Sequence, residues 1–199
     1  MTTTPTPAES STRRRKGPLL AILALCLAPV IASYVAYYLV KPDGRTNYGE
    51  LIEPLRATDD LVVHEANGAD ASLTAVRGKW VLLTVDARGC DAPCAARLYA
   101  MRQVRLTTGK ERDRIERVLL VSGEATPAAA VLAEHEGLRV YRVQGAPVRW
   151  LPPADGGTPE DHIYVVDPMG NVMLRFPKSV DPNRMKKDIA RLLRASRVG

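Results

Sequence analysis

Two cysteines four residues apart, Cys90 and Cys94, are the residues of this chain whose types and spacing most clearly indicate chemistry. An apolar, β-branched run, Lys79–Val85, precedes them and predicts a buried strand, while helically spaced apolar residues follow them. The pair is therefore predicted to lie at a helix N-terminus, where unpaired backbone N–H groups and the helix dipole stabilise thiolates. This spacing places both sulfurs on one face of the first turn, where they can form a redox-active disulfide or bind Cu(I). A purely structural disulfide is the alternative.

A histidine is the candidate third member of the site. His162 follows a loop rich in proline and glycine, 145–159, and opens a predicted core strand. In a thioredoxin-like arrangement that strand end approaches the first helix, so the imidazole could complete a Cys, Cys, His copper site. A strand-edge histidine bonded to Asp161 or to backbone is the alternative. His64 and His135 are interpreted as surface residues or as partners of a helix dipole.

The elements that must position these residues alternate between strands and helices. From residue 79 the patterns predict the order strand, helix, strand, helix, a possible short strand, strand, strand and helix. Strands connected through helices pair in parallel, whereas the tight turn at Met169–Asn171 predicts an antiparallel pair. The sequence therefore predicts an α/β thioredoxin-like fold, a mixed sheet flanked by helices, with an extra strand pair at 61–76. Asp86 is interpreted as a polar residue at a strand end, or as a buried proton acceptor.

One segment is long and apolar enough to cross a bilayer. Leu19–Val40 runs for 22 residues without a charge, and the basic cluster Arg13–Lys16 precedes it. The positive-inside rule places the N-terminus in the cytoplasm and the rest of the chain outside, in the bacterial periplasm. A cleaved signal peptide is the alternative, although its apolar region is usually shorter. The predicted organisation is a disordered cytoplasmic tail (1–18), a single-pass inner-membrane anchor (19–40), a linker (41–59) and a thioredoxin-like periplasmic domain (60–199).

The overall composition excludes several classes of protein. Three cysteines are too few for a disulfide-dense scaffold, and one long apolar run excludes a multi-span transporter. The chain carries 28 basic and 22 acidic residues, a formal net charge of +6. It has no basic stripe interleaved with aromatic residues, so nucleic acid is not an expected partner.

These residues resemble the Sco/SenC family, membrane-anchored copper chaperones of thioredoxin fold that act in cytochrome c oxidase assembly. The resemblance covers about residues 60–195 and includes the cysteine spacing. Three further segments are similar to family segments, namely Gly78–Leu83, Val121–Pro127 and Asp161–Gly170. The family usually has proline directly after each cysteine, whereas this chain has Asp91 and Ala95, so it resembles a divergent member.

The resemblance implies a function that the residues alone leave open. It implies copper as the bound metal, with Cys90 and Cys94 as thiolate ligands and His162 as the third. It also implies a copper-site subunit of cytochrome c oxidase, or another assembly factor, as the partner. Two other functions fit the same residues. One is a periplasmic thiol–disulfide oxidoreductase without copper, and the other is a redox-silent anchored scaffold for assembly.

Overall fold

The computed structural model describes residues 17–38, 47–65, 68–196 and 198. The chain divides into two compact units, Met1–Arg45 and Thr46–Gly199. In the first unit, helix α1 (Gly17–Tyr38) has the length and apolar composition needed to cross a membrane. The basic cluster, most of the predicted tail and the predicted end of the span at residues 39 and 40 lie outside the described residues.

The second unit is built on one mixed sheet of eight strands. In chain order the strands are β1 (Glu50–Ala57), β2 (Val63–Glu65), β3 (Asp70–Ala71), β4 (Trp80–Asp86), β5 (Ile115–Ser122), β6 (Leu138–Val143), β7 (Ile163–Val166) and β8 (Asn171–Arg175). Across the sheet the order is β1-β8-β7-β4-β5-β6-β2-β3. The pairs β4–β5 and β5–β6 are parallel and the others are antiparallel. The predicted mixed sheet and extra strand pair are confirmed.

The described part of this unit also contains three α-helices, namely α2 (Ala92–Thr107), α3 (Ala129–Ala133) and α4 (Pro182–Ala195). The side chains of Asp91 and Asp181 cap α2 and α4 and accept backbone N–H groups of the first turns. Helix α3 is short: it starts at Ala129, where no side chain caps it, and ends at Ala133. A helix without a capping side chain loses one of the interactions that satisfy its first N–H groups.

Strand β1 falls inside the segment predicted as a linker, 41–59, so that prediction is wrong for these eight residues. The strand pairs antiparallel with β8 at the edge of the sheet, and its register shifts between Leu51 and Arg56. Pro54 lies within that shift, where a residue without an N–H group is tolerated. The sequence pattern did not predict β1 because a strand interrupted by proline lacks regular alternation of apolar and polar residues.

Strand β4 lies at the centre of the fold and separates two apolar clusters. All seven of its residues are buried. Successive strand residues point to opposite faces, so Leu82 packs in one cluster and Leu83 in the other. The first cluster contains residues of α2 and α4 together with both cysteines of the pair. The second contains Tyr164 and residues of β2, β5 and β6.

His135, predicted as a surface or dipole-matching residue, is instead buried. His135 follows α3 in the chain and is 5% exposed. Its Nδ1 has no hydrogen-bond partner among the described residues. Burial lowers the pKa of His135, and the positive charges of Arg117 and Arg102 lower it further. The neutral imidazole is therefore favoured in the folded protein. The sequence pattern missed this because α3 ends before His135 and the chain turns inward there.

Candidate redox site

Cys90 and Cys94 are joined by a disulfide at the junction of β4 and α2, with Cα atoms 5.0 Å apart. Cys90 precedes the residue that caps α2, and Cys94 lies in its first turn. Both residues pack into the first apolar cluster; Cys90 is 9% exposed and Cys94 is fully buried. Cys90 is therefore the member of the pair that lies closer to solvent.

The side chain of Asp86 shapes the loop that carries Cys90. Its carboxylate accepts three backbone N–H groups, from Arg88 (3.2 Å), Gly89 (3.0 Å) and Cys90 (2.8 Å). Gly89 and Cys90 both have positive φ, 82° and 62°, a backbone region that residues other than glycine rarely adopt. The carboxylate, only 2% exposed, thus holds Cys90 in an unfavourable backbone conformation. The sequence analysis interprets Asp86 as a polar residue at a strand end or as a buried proton acceptor. In the structure its carboxylate accepts backbone N–H groups and fixes the conformation of the loop.

Asp91 occupies the N-terminus of α2 with a second carboxylate. Its Oδ1 accepts the backbone N–H of Cys94 at 3.1 Å, and its Oδ2 lies 3.6 Å from the Arg88 guanidinium. The sequence analysis predicts unpaired N–H groups at this helix N-terminus, and the N–H of Cys94 is one of the groups at that position. In the oxidised protein it is already bonded to a negatively charged side chain. After reduction, the Asp91 carboxylate and a Cys94 thiolate would compete for the backbone N–H groups of the first turn of α2.

A buried arginine links α2 to the strands beside the disulfide. Arg97 is 5% exposed, and its Nε donates to Thr84 Oγ1 at 3.0 Å. The Thr84 hydroxyl in turn donates to the backbone oxygen of His162 at 3.0 Å. Burial lowers the pKa of Arg97, while the charges of Asp91 and Asp161 act in the opposite direction. Sequence analysis missed Arg97, although its position three residues after Cys94 on the buried face of α2 was a usable signal.

Both ring nitrogens of His162 are used within the protein. Nδ1 lies 2.8 Å from the backbone oxygen of Phe176 and donates to it, so Nε2 is left to accept the N–H of Ala154 at 3.1 Å. The ring contacts Tyr164 edge-on, with centroids 6.0 Å apart, and the residue is 4% exposed. Tyr164 belongs to the second cluster, whereas the cysteines belong to the first. The imidazole anchors the loop ahead of β7.

The residues as placed do not fit a three-ligand copper site. The two sulfurs are bonded to each other, and His162 has no nitrogen free to coordinate a metal. Over residues 17–38, 47–65 and 68–196, moreover, there is no group of three or more His, Cys, Asp and Glu side chains able to hold a metal. A Cu(I) site built on this pair would need reduction of the disulfide, and a ligand role for His162 would need the loss of its bond to Ala154.

A cavity runs along α2 from its first turn, and neither cysteine of the pair lines it. It has a volume of ≈ 790 Å³ and is lined on one side by residues between Pro93 and Arg102 of α2. Its other walls are formed by Val131, Glu134, His135 and the segment 178–182. A concave site that mixes apolar side chains with polar ones is typical of pockets for small molecules.

Solved structures with the same fold include Sco proteins and a thiol:disulfide interchange protein. Apo Sco1 from Thermus thermophilus is 15% identical, with a TM-score of 0.51 over 75% of this chain and 96% of its own. BsSco, a Sco-family cytochrome c oxidase assembly protein, is 10% identical, with a TM-score of 0.52 over 72% and 96%. A thiol:disulfide interchange protein from Bacteroides sp. is 14% identical, with a TM-score of 0.51 over 72% and 91%. At such low identity these similarities show the fold alone.

A family assignment follows from the sequence of the folded unit. No curated protein sequence matches the chain. The family model for a transmembrane-like, thioredoxin-like C-terminal domain matches residues 80–196, which run from β4 to the end of α4 and include the disulfide. This protein therefore belongs to the transmembrane-like, thioredoxin-like C-terminal domain family, and its predicted thioredoxin-like fold is confirmed.

Proposed function

We propose that this protein is a membrane-anchored thiol–disulfide exchange protein whose Cys90–Cys94 pair cycles between disulfide and dithiol. The observation that carries the proposal is the disulfide itself, which closes at the junction of β4 and α2 in a thioredoxin-like sheet. A disulfide that closes so short a segment stabilises the fold only modestly, by about 2 kcal/mol on loop-entropy grounds. The folded state is therefore expected to survive reduction, as cycling requires.

The exchange reaction transfers two electrons and passes through a mixed disulfide. A client thiolate attacks the sulfur of Cys90, the S–S bond breaks, and Cys94 leaves as a thiolate. A second client thiolate then attacks the client sulfur of the mixed disulfide and releases Cys90. The client becomes oxidised to a disulfide, and the Cys90 and Cys94 thiolates each take up one proton. The reverse reaction reduces a client disulfide.

The unequal burial of the two cysteines supports different roles for them in this reaction. Cys90 is 9% exposed and follows the exposed residues Ala87 and Arg88, whereas Cys94 is fully buried. A client can approach Cys90 from the side of this exposed loop. Cys90 is therefore proposed to form the mixed disulfide, and Cys94 to act as the resolving thiol.

Single-cysteine variants test these roles. We expect the Cys94→Ser chain to trap a mixed disulfide with glutathione disulfide at least about tenfold faster than the Cys90→Ser chain, since Cys94 is the less accessible sulfur. The measurement uses the full chain in detergent, with Cys26→Ala as a common background because Cys26 is a free thiol. Mass spectrometry follows the adduct over time. Equal rates, or no adduct in either variant, would contradict the proposed exchange.

Copper delivery in cytochrome c oxidase assembly is the second candidate function. The cysteine spacing and the fold shared with Sco1 from Thermus thermophilus and with BsSco support it. The reduced pair would offer two thiolates, and an oxidase copper-site subunit or another assembly factor would be the partner. A Cu(I) titration of the reduced chain against a competing chelator tests this function. The Cys90→Ser, Cys94→Ser and His162→Ala variants would show which groups bind.

We further propose that the folded unit faces the periplasm and is held at the inner membrane by α1. The support is the basic cluster ahead of the apolar run and the length of α1, which suits a bilayer. An oxidising compartment would maintain the disulfide. Anchoring would confine the protein to the surface where membrane-bound clients mature, which raises its effective concentration there. A redox-silent scaffold is the remaining alternative, and the low exposure of the disulfide is the observation that favours it.

A further inference from the structure

A second cavity, which shares Arg102 with the first, is lined by three arginines. Arg102 and Arg105 come from the second half of α2, and Arg117 comes from β5. Leu106 and the turn at Glu136–Gly137 complete the lining, and the cavity has a volume of ≈ 310 Å³. The exposure of the arginines is graded, since Arg102 is exposed, Arg105 is half-buried and Arg117 is only 3% exposed. The cavity therefore has a cationic rim and a cationic floor.

Arg117 lacks the partners that a buried guanidinium normally has. Its Nη2 donates to the backbone oxygen of Glu136. Its Nε and Nη1 are buried and have no partner among the residues that the structure describes. A buried charge without a counter-ion is unfavourable, and natural proteins usually pair it. Arg117 thus lacks a counter-ion among the described residues, and the cavity beside it has space for an anion.

Most of the charged groups around Arg117 are positive, although the exposed Glu136 also lines the cavity. Burial lowers the pKa of Arg117, and the charges of Arg105 and Arg102 lower it further. Glu116 acts in the opposite direction, but its carboxylate is paired with Lys79 at 2.7 Å and with Arg139 at 3.7 Å. Glu116 also precedes Arg117 directly in β5, so the two side chains leave opposite faces of the strand.

The contacts of Arg105 do not neutralise the positive charge of the cavity, and neither does the nearby His135. Arg105 donates from Nε to the backbone oxygen of Ile115 at 2.8 Å, and its ion pair with the exposed Asp113 is long, at 3.8 Å. His135 lies close enough for Arg117 and Arg102 to affect its titration. No described carboxylate therefore forms a close ion pair with the arginines on the floor and at the rim.

We propose that this cavity binds a phosphate group, either free or as a phosphate monoester, with Arg117 as the floor and Arg102 and Arg105 as the rim. Guanidinium groups bind oxyanions through several directed N–H donors, and phosphate offers acceptors in several directions. A dianion also balances three converging cations better than a single carboxylate does. The site uses none of the cysteine chemistry, so it is independent of the exchange function proposed above.

Thermal unfolding of the full chain in neutral detergent tests the site, with inorganic phosphate as the probe and chloride keeping the ionic strength constant. We expect saturating phosphate to raise the Tm of the wild type by at least about 3 °C, since a ligand that binds only the folded state stabilises it. The shift should be abolished in Arg117→Met and reduced in Arg102→Gln. Arg56→Gln, an exposed arginine of β1, is the matched control and should keep the full shift.

Two results would overturn the proposal. One is the absence of a shift in the wild type with inorganic phosphate, glycerol 3-phosphate and phosphatidic acid alike, and the other is an equal shift in wild type, Arg117→Met and Arg102→Gln. Without phosphate, Arg117→Met should be at least as stable as wild type, because it removes a buried uncompensated charge. Should this variant fail to fold, Arg102→Gln decides, since Arg102 is exposed and its replacement leaves the core intact.

The same variants distinguish the two sources of the phosphate group. The full chain is placed in phosphate-free nanodiscs of phosphatidylcholine, with and without phosphatidic acid. A Tm increase that needs phosphatidic acid and is lost in Arg117→Met identifies a lipid headgroup as the ligand. A response to inorganic phosphate or glycerol 3-phosphate, with none to the lipid, identifies a soluble ligand. A lipid response that Arg117→Met retains would contradict this site as the place of binding.

Discussion

Replacing Asp86 with alanine is expected to lower the free energy of unfolding by about 3 kcal/mol, with loss of the loop geometry at Cys90. The carboxylate accepts three backbone N–H groups, and the substitution removes that partner from all of them; the bond to Cys90 is buried, and those to Arg88 and Gly89 are partly buried. The positive φ of Cys90 would then lack its main support. Urea unfolding of the oxidised chain measures the change in stability.

Asp86→Asn is the matched control for this prediction. An amide keeps one acceptor oxygen in nearly the same volume, so it should retain part of the stability that alanine loses. The reduced chains should show a smaller difference between wild type and Asp86→Ala, because Cys90 is then free to leave its strained conformation. An equal loss in the oxidised and reduced chains would show that Asp86 stabilises the fold without positioning Cys90.

Replacing Thr84 with valine is expected to cost about 2 to 4 kcal/mol of stability, although the two side chains have nearly the same shape. The hydroxyl connects Arg97 Nε to the backbone oxygen of His162, and all three residues are at most 5% exposed. Valine leaves a charged donor and a carbonyl without partners in the interior. Urea unfolding again provides the measurement.

Thr84→Ser separates the hydroxyl from the packing of the side chain. Serine keeps both hydrogen bonds and loses only a methyl group, so it should cost about 1 kcal/mol, near the value of one buried CH₂. A loss with serine as large as that with valine would mean that packing, and not the Arg97–Thr84–His162 connection, is what stabilises this position.

The regular elements around the disulfide could be predicted from sequence because their signals are local. The run Lys79–Val85 and the helical spacing after Cys94 placed the pair at the junction of β4 and α2, where the structure has it. The tight turn at Met169–Asn171 likewise predicted the antiparallel pair β7–β8. These features depend on neighbouring residues, so a single sequence is enough to locate them.

The features that were missed depend on contacts between distant segments. Strand β1 forms only because β8 offers it an edge, and its own sequence is interrupted by Pro54. The bonds of His162 to Phe176 and Ala154 are set by the packing of a loop that has no periodic pattern. Arg117 carries no signal in the sequence, and only the structure shows that it is buried beside a cavity without a counter-ion.

The redox equilibrium of the full chain tests the central claim most directly. The Cys26→Ala chain in detergent is equilibrated with glutathione buffers of increasing reducing strength, and thiol-specific alkylation followed by mass spectrometry gives the fraction reduced. Exchange function predicts a reversible two-electron transition of the folded protein between about −120 and −270 mV, the range of thiol–disulfide exchange proteins. A pair that stays oxidised in the folded chain below about −300 mV would contradict it and would identify Cys90–Cys94 as a static structural bond.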